Sequence, residues 1–200
     1  DHEVANENFG KALNIINDKA LWGIIYTYGS STAGTQICRL LVNGDTITVI
    51  NNHLENCHLD KDNREAYKVM LKGKMESDTL RAESRLLIDR LGEAAAIRCH
   101  QADSVAALVS ELNAKGKPVI LCGDFNDNPI SYTHHVISKE LTDCFVAAGR
   151  GPGISYNRRG FYVRIDNIMC SQHFKPKRCF VDSNISASDH YPMVCWMQKR

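Results

Sequence analysis

The chain lacks any apolar run approaching the roughly 20 residues that a membrane-spanning helix needs, so no such helix is expected. It also lacks an excess of charge: 24 Lys and Arg face 23 Asp and Glu, for a net charge of +1. A nonspecific duplex binder held by counterion release is usually more basic, so the total charge points to no strongly charged partner, although a local patch can bind without moving the total. The eight cysteines, at 38, 57, 99, 122, 144, 170, 179 and 195, contain no C-x-x-C pair, so they show no zinc-ribbon spacing. Cys122, Cys170 and Cys195 fall in apolar runs, where cysteine acts as a small hydrophobe. Reduced thiols and a cytoplasmic location are the expectation. Neither an initiator Met nor a signal-like apolar segment stands at Asp1, so a leading segment is expected to precede it. Repeats, low-complexity tracts and linker-like shifts are missing too. One monomeric domain over 1–200 follows, globular at 44% hydrophobic and 24% charged residues.

What is present suggests alternating layers. "QICRLLV" and "DTITVI" flank Asn43-Gly44 and predict a hairpin. From about Asp62 to Lys115 the chain is rich in Ala, Leu, Arg and Glu, and Leu80, Leu87, Leu91 and Ala95 recur at helical spacing. Lys115-Gly116 is a natural stop. "PVILC" is a run suited to a strand covered on both faces. "FYVRIDNIMC" predicts one alternating strand with Tyr162, Arg164 and Asp166 on one face, and "HYPMVCWM" a last strand. Long helices among strands, with hairpins at both ends, give a layered α/β or α+β domain.

Polar residues gather at the mouths of these strands: "VINNHLE" around His53, "CGDFNDNP" around Asp124, and "SASDHYP" around Asp189 and His190. "RIDNI" places Asp166 within a strand. Any one of them alone suits a turn, because Asp and Asn side chains bond nearby backbone amides. Asp124-x-Asn126-x-Asn128 opens like a calcium loop, but the sixth and twelfth places hold Pro129 and His135 where Gly and Glu are required. His53 and His58 are five apart and His134 and His135 adjacent, which does not suit a structural zinc site. Ser188, Asp189 and His190 are consecutive, and neighbours in an extended segment point to opposite faces, so they form no serine triad among themselves. Carboxylates, amides and two histidines at the ends of separate strands suit metal-assisted hydrolysis at phosphorus: hard cations take oxygen ligands, a carboxylate orients water, and a histidine stabilises phosphoryl charge.

"NNHLE", "GDFND", "RIDNI" and "SDHYP", in this order, resemble the endonuclease/exonuclease/phosphatase superfamily. The resemblance runs from about Gln36 to the C-terminus and includes the R-x-x-Q helix in "IRCHQADSVAALV"; residues 1–35 match poorly. It implies an α+β sandwich, two mixed β-sheets packed face to face and flanked by helices, with the first strands of the fold absent from this chain. By the same resemblance His53 contacts the scissile phosphate, Asp124 activates the attacking water, and Asn126 bonds a phosphate oxygen. Asp166 holds His190, which stabilises the transition state, and Asp189 is a metal ligand for Mg²⁺ or Mn²⁺. A metal-binding Glu, expected near the start of the fold, is matched only faintly by Glu3, so this chain by itself is expected to be weakly active or inactive. The implied function is phosphodiester hydrolysis of a phosphate-ester substrate, nucleic acid among the candidates. The alternatives are a phosphomonoesterase acting on an inositol-phosphate or lipid-like substrate, and a non-catalytic phosphate-binding module. The insertion Cys57–Asp78 is where substrate choice is expected to be written.

Overall fold

The structure, a computed structural model, describes residues 21–25, 33–57, 78–158, 161–185 and 187–200. Glu3 and most of the Cys57–Asp78 insertion lie outside the described residues. Strands β1 (Leu21–Ile25), β2 (Gly34–Val42) and β3 (Asp45–His53) run antiparallel in sequence order. The predicted hairpin joins β2 to β3, and Asn43 (φ 50°) with Gly44 (φ 87°) supplies the two left-handed residues that a type I′ turn requires. Helix α1 (Asp78–Ala114) ends before Gly116, and β4 (Val119–Asp124) then pairs parallel with β3. Parallel neighbours need such a crossover. After β4 come α2 (Tyr132–Ser138), β5 (Thr142–Asp143), α3 (Cys144–Ala148), β6 (Tyr156–Arg158), β7 (Phe161–Val163), β8 (Asp166–Cys170), β9 (Phe174–Val181) and β10 (Met193–Lys199). The main sheet is mixed, in the order β1-β2-β3-β4-β8-β5, while β9 and β10 form a separate hairpin.

Alternation along the central strands builds two cores. Ile50, Val119, Leu121 and Met169 face α1, where they meet Ala102, Val105 and Val109. Their neighbours Ile47, Val49, Ile120, Ile168 and Cys170 face the other way, onto α3 and the β9–β10 hairpin. Each fully buried Leu, Ile, Val or Met contributes roughly 1.5–3 kcal/mol, so β4, apolar on both faces, anchors both layers. The expected α+β arrangement of mixed sheets with helices is therefore present. Among the described residues, no helix is long and apolar enough to cross a membrane.

Two strand readings need correction. "FYVRIDNIMC" is broken between β7 and β8, and Arg164 does not share an environment with Tyr162: Tyr162 is exposed, whereas Arg164 is buried. The cause is polar. The Arg164 guanidinium turns inward to grip both oxygens of Asp143 at 3.1 and 2.8 Å, and the Ser155 hydroxyl accepts the N–H groups of Ile165 and Asp166. The last strand starts at Met193, after Pro192, which has no N–H to give a ladder. The buried stripe of α1 also differs by one place from the expected one, running through Leu87, Ala94, Arg98, Gln101 and Val105 rather than Leu91 and Ala95.

Candidate active site

Three adjacent strands end together. In the ladders His53 pairs with Asp124, and Asp124 with Asp166, so β3, β4 and β8 deliver their polar ends in one row. Gly123 makes that row tight. At φ +133° a Cβ there would stand 1.9 Å from the Asn52 carbonyl oxygen, so no other residue fits without moving β3. His190 arrives from the segment before β10, seated by an isolated bridge to Tyr156 and edge-on to its ring at 5.0 Å.

Asp124 Oδ2 then lies 3.9 Å from Nε2 of both His53 and His190. These separations are too long for direct hydrogen bonds and suit one water shared between them. On its far side the His190 ring donates from Nδ1 to Asp166 Oδ2 at 2.8 Å, which fixes the tautomer and leaves Nε2 aimed at Asp124. Burial, and then the Asp166 carboxylate, push the Asp124 carboxyl up to about 6, against the Asn126 N–H and the two imidazoles. The hydrogen bond to Asp166 raises His190 above its ordinary value despite the opposing effect of burial. A carboxylate and an imidazole, both raised, thus stand within one cluster, the kind of pairing that acid–base chemistry uses.

Helix α1 holds the two loops that carry this chemistry. Asn126 sits at φ 50°, where Asn is better tolerated than most residues. Its N–H donates to Asp124 Oδ1 at 2.7 Å and its amide to the Leu54 carbonyl at 2.9 Å. Buried Arg98 donates to the Glu55 carbonyl at 3.0 Å and, from Nε, to Asp127 at 3.4 Å, while Gln101 accepts the Glu55 N–H at 2.8 Å. The loop after β3 and the loop after β4 are therefore tied to each other and to one helix. The R-x-x-Q of the sequence resemblance is Arg98 and Gln101; the sequence assigned the pair no role, and Asp127, the third member of this clamp, carried no signal.

Of the expected site residues, His53, Asp124, Asn126, Asp166 and His190 come together. Asp189 lies apart: Oδ2 accepts from Arg158 at 2.8 Å and Oδ1 from the Ser188 hydroxyl at 3.3 Å. Its carboxyl stays below the usual value because its own N–H, Arg158 and His190 outweigh burial. Among the described residues, Asp124, Asp166 and His190 form the group whose ligand atoms all lie within 4.8 Å of one another. Two carboxylates suit a hard divalent cation, so the donor set fits one in kind, but Nδ1 of His190 is already committed to Asp166.

Two asparagines flank Gly123 in register, Asn52 on β3 and Asn167 on β8. Both are buried; Thr35 binds the Asn52 oxygen, and the Asn167 amide reaches the Ile165 carbonyl. The remaining Nδ2 of Asn52 and Oδ1 of Asn167 are unpartnered, one donor and one acceptor beneath the site.

The family model for the endonuclease/exonuclease/phosphatase family matches residues 84–190. Solved structures agree in fold. A family protein from Bacteroides thetaiotaomicron is 19% identical over 82% of this chain and 53% of its own, with a TM-score of 0.52. One from Bacteroides vulgatus is 14% identical over 92% and 68%, TM-score 0.60. TDP2 of D. rerio, solved with a single strand DNA product, is 16% identical over 90% and 67%, TM-score 0.59. This chain therefore spans between 53% and 68% of the length of these proteins. No curated protein matches it in sequence.

Proposed function

The chain belongs to the endonuclease/exonuclease/phosphatase family, a family of phosphoester hydrolases, and we propose that its site hydrolyses a phosphodiester with a divalent metal by in-line attack of water. The observation that supports this reading most is Asp124 set 3.9 Å from each of two imidazoles, one of them held by Asp166 at 2.8 Å. With its carboxyl near 6, Asp124 is ionised at neutral pH and basic enough to take a proton from the attacking water. His53 meets the phosphoryl oxygens from β3. His190, whose hold on a proton Asp166 strengthens, offers Nε2–H to the charge that develops as the ester bond breaks. Asn126 spends part of its amide on Leu54, and its role toward a phosphate oxygen rests on the other hydrogen. A Mg²⁺ or Mn²⁺ ion supplies Lewis-acid stabilisation of phosphoryl charge when bound; we assign Asp189 to hold it, which requires release of Arg158.

Hydrolysis of bis-p-nitrophenyl phosphate and of a short single-stranded DNA by the full-length protein with added Mg²⁺ or Mn²⁺, with p-nitrophenyl phosphate alongside, tests this. Metal-dependent cleavage of the diesters that Asp124→Ala abolishes is the expected result. Preference for the monoester would favour a phosphomonoesterase instead. A rate equal to that of Asp124→Ala with every substrate would end the enzymatic reading.

A further inference from the structure

Four of the eight thiols meet in the second core, apart from the carboxylates and imidazoles described above. Cys144 on α3 and Cys170 on β8 are fully buried, Cys179 on β9 is nearly so, and Cys195 on β10 is partly exposed. Cys144 Sγ lies 3.7 Å from Cys170 Sγ and 3.9 Å from the thioether sulfur of Met197. Cys195 is the direct partner of Cys179 across the β9–β10 ladder and packs with Met197 against the same core. Five sulfurs from four elements therefore converge.

A buried cysteine is by itself an ordinary small hydrophobe. The spacing and the thioether add more than that. A d¹⁰ cation bound about 2.3 Å from sulfur sets sulfur–sulfur edges of roughly 3.8 Å in a tetrahedral site and 4.0 Å in a trigonal one. The two separations around Cys144 are close to both. Oxygen ligands for a hard cation are poorly placed here: the Thr142 carbonyl is 3.8 Å from Cys144 Sγ, and the Asp143 carboxylate is taken by His134 and Arg164. Mixed thiolate and thioether donors select Cu⁺.

We propose that Cys144, Cys170 and Met197 form a site for a soft monovalent cation, Cu⁺, with Cys195 as its route of entry. Binding releases both thiol protons to solvent, leaves two thiolates on one Cu⁺ with a net charge of about −1, and changes no oxidation state. The ligands come from α3, the main sheet and the hairpin, so occupancy ties the two layers together and stabilises the folded state by mass action. The proposal does not depend on the phosphoesterase reading.

Reduced, oxygen-free protein titrated against the Cu⁺–bicinchoninate complex decides it. Withdrawal of one equivalent, with a rise in the melting midpoint, is expected. Met197→Leu keeps the volume and should weaken binding by roughly tenfold or more, the loss that even outer partners of a metal ligand cause. Cys144→Ser should abolish it, and Cys99→Ser, on α1, should leave it unchanged. If copper stays with the chelator, the site does not exist. If Cys99→Ser weakens binding as much as Met197→Leu, the copper is held by thiols adventitiously and the proposal falls. Should Cys144→Ser fail to fold, the wild-type titration and Met197→Leu still give the answer.

Discussion

His190 and Asp124 owe their chemistry to what surrounds them. The hydrogen bond to the Asp166 carboxylate is the largest influence raising His190, and removing that charge with Asp166→Asn should bring the imidazole pKa down. An NMR titration of the metal-free protein measures this directly; an unchanged His190 pKa would mean that the 2.8 Å bond is not the cause. On turnover the pair should act as one unit, Asp166→Asn and His190→Ala being strongly non-additive. All five residues that meet here were legible in the sequence, because each stands in a short polar motif at a strand end. The mutual distances were not. His53 and His190 are far apart in sequence; the β3–β4 register places the first and the bridge to Tyr156 seats the second, so that both stand 3.9 Å from one carboxylate oxygen.

Two elements are held by features that a motif search does not score. β4 lies against β3 only because position 123 has no side chain. Gly123→Ala should cost several kcal/mol, from the strain of φ +133° and from contact with the Asn52 backbone; thermal melting checks the cost, and a stability close to wild type would contradict the close approach. The second feature is the buried trio around Asp143. Burial opposes its ionisation, but hydrogen bonds from His134, Arg164 and the Val146 N–H outweigh that and hold the carboxyl well below the usual range. Asp143 also caps α3 through the Phe145 and Val146 N–H groups. Arg164→Met leaves this charge buried with fewer partners and should destabilise the fold by about 3–5 kcal/mol. Denaturant unfolding measures it, and a loss under 1 kcal/mol would show that His134 suffices. The sequence reading placed Arg164 beside Tyr162 because alternation assumes an unbroken strand, and alternation knows nothing of Asp143 waiting 21 residues upstream.

For the whole molecule, opposing titrations shape stability against pH. Asp143, depressed from its ordinary 3.8, stabilises the fold above that value and loses the contribution as pH falls. Asp124 is raised from 3.8 to about 6, so the folded state binds the extra proton between these values and stability declines as pH rises through them. His190, raised from 6.5, contributes fully below 6.5 and loses its contribution above. The metal-free protein should therefore be most stable in mild acid. Asp124→Asn should remove the decline between pH 4 and 6 and stabilise the protein at pH 7 by ~3 kcal/mol. Unfolding free energies across pH test it; an equally steep decline in the variant would place its origin elsewhere.

The sequence by itself determined the hairpin at Asn43-Gly44, the crossover helix, the doubly buried β4 and the family, since these depend on local turn chemistry, on periodicity and on short motifs in order. Tertiary structure alone decided the rest: the break between β7 and β8, the Arg98 clamp across two loops, the pairing of Asp189 with Arg158 rather than with the site, and the gathering of four thiols in one core. Each of these joins residues 20 or more positions apart through a side-chain contact. Such contacts depend on which strands lie side by side and in what register, and neither is encoded in any one stretch of chain.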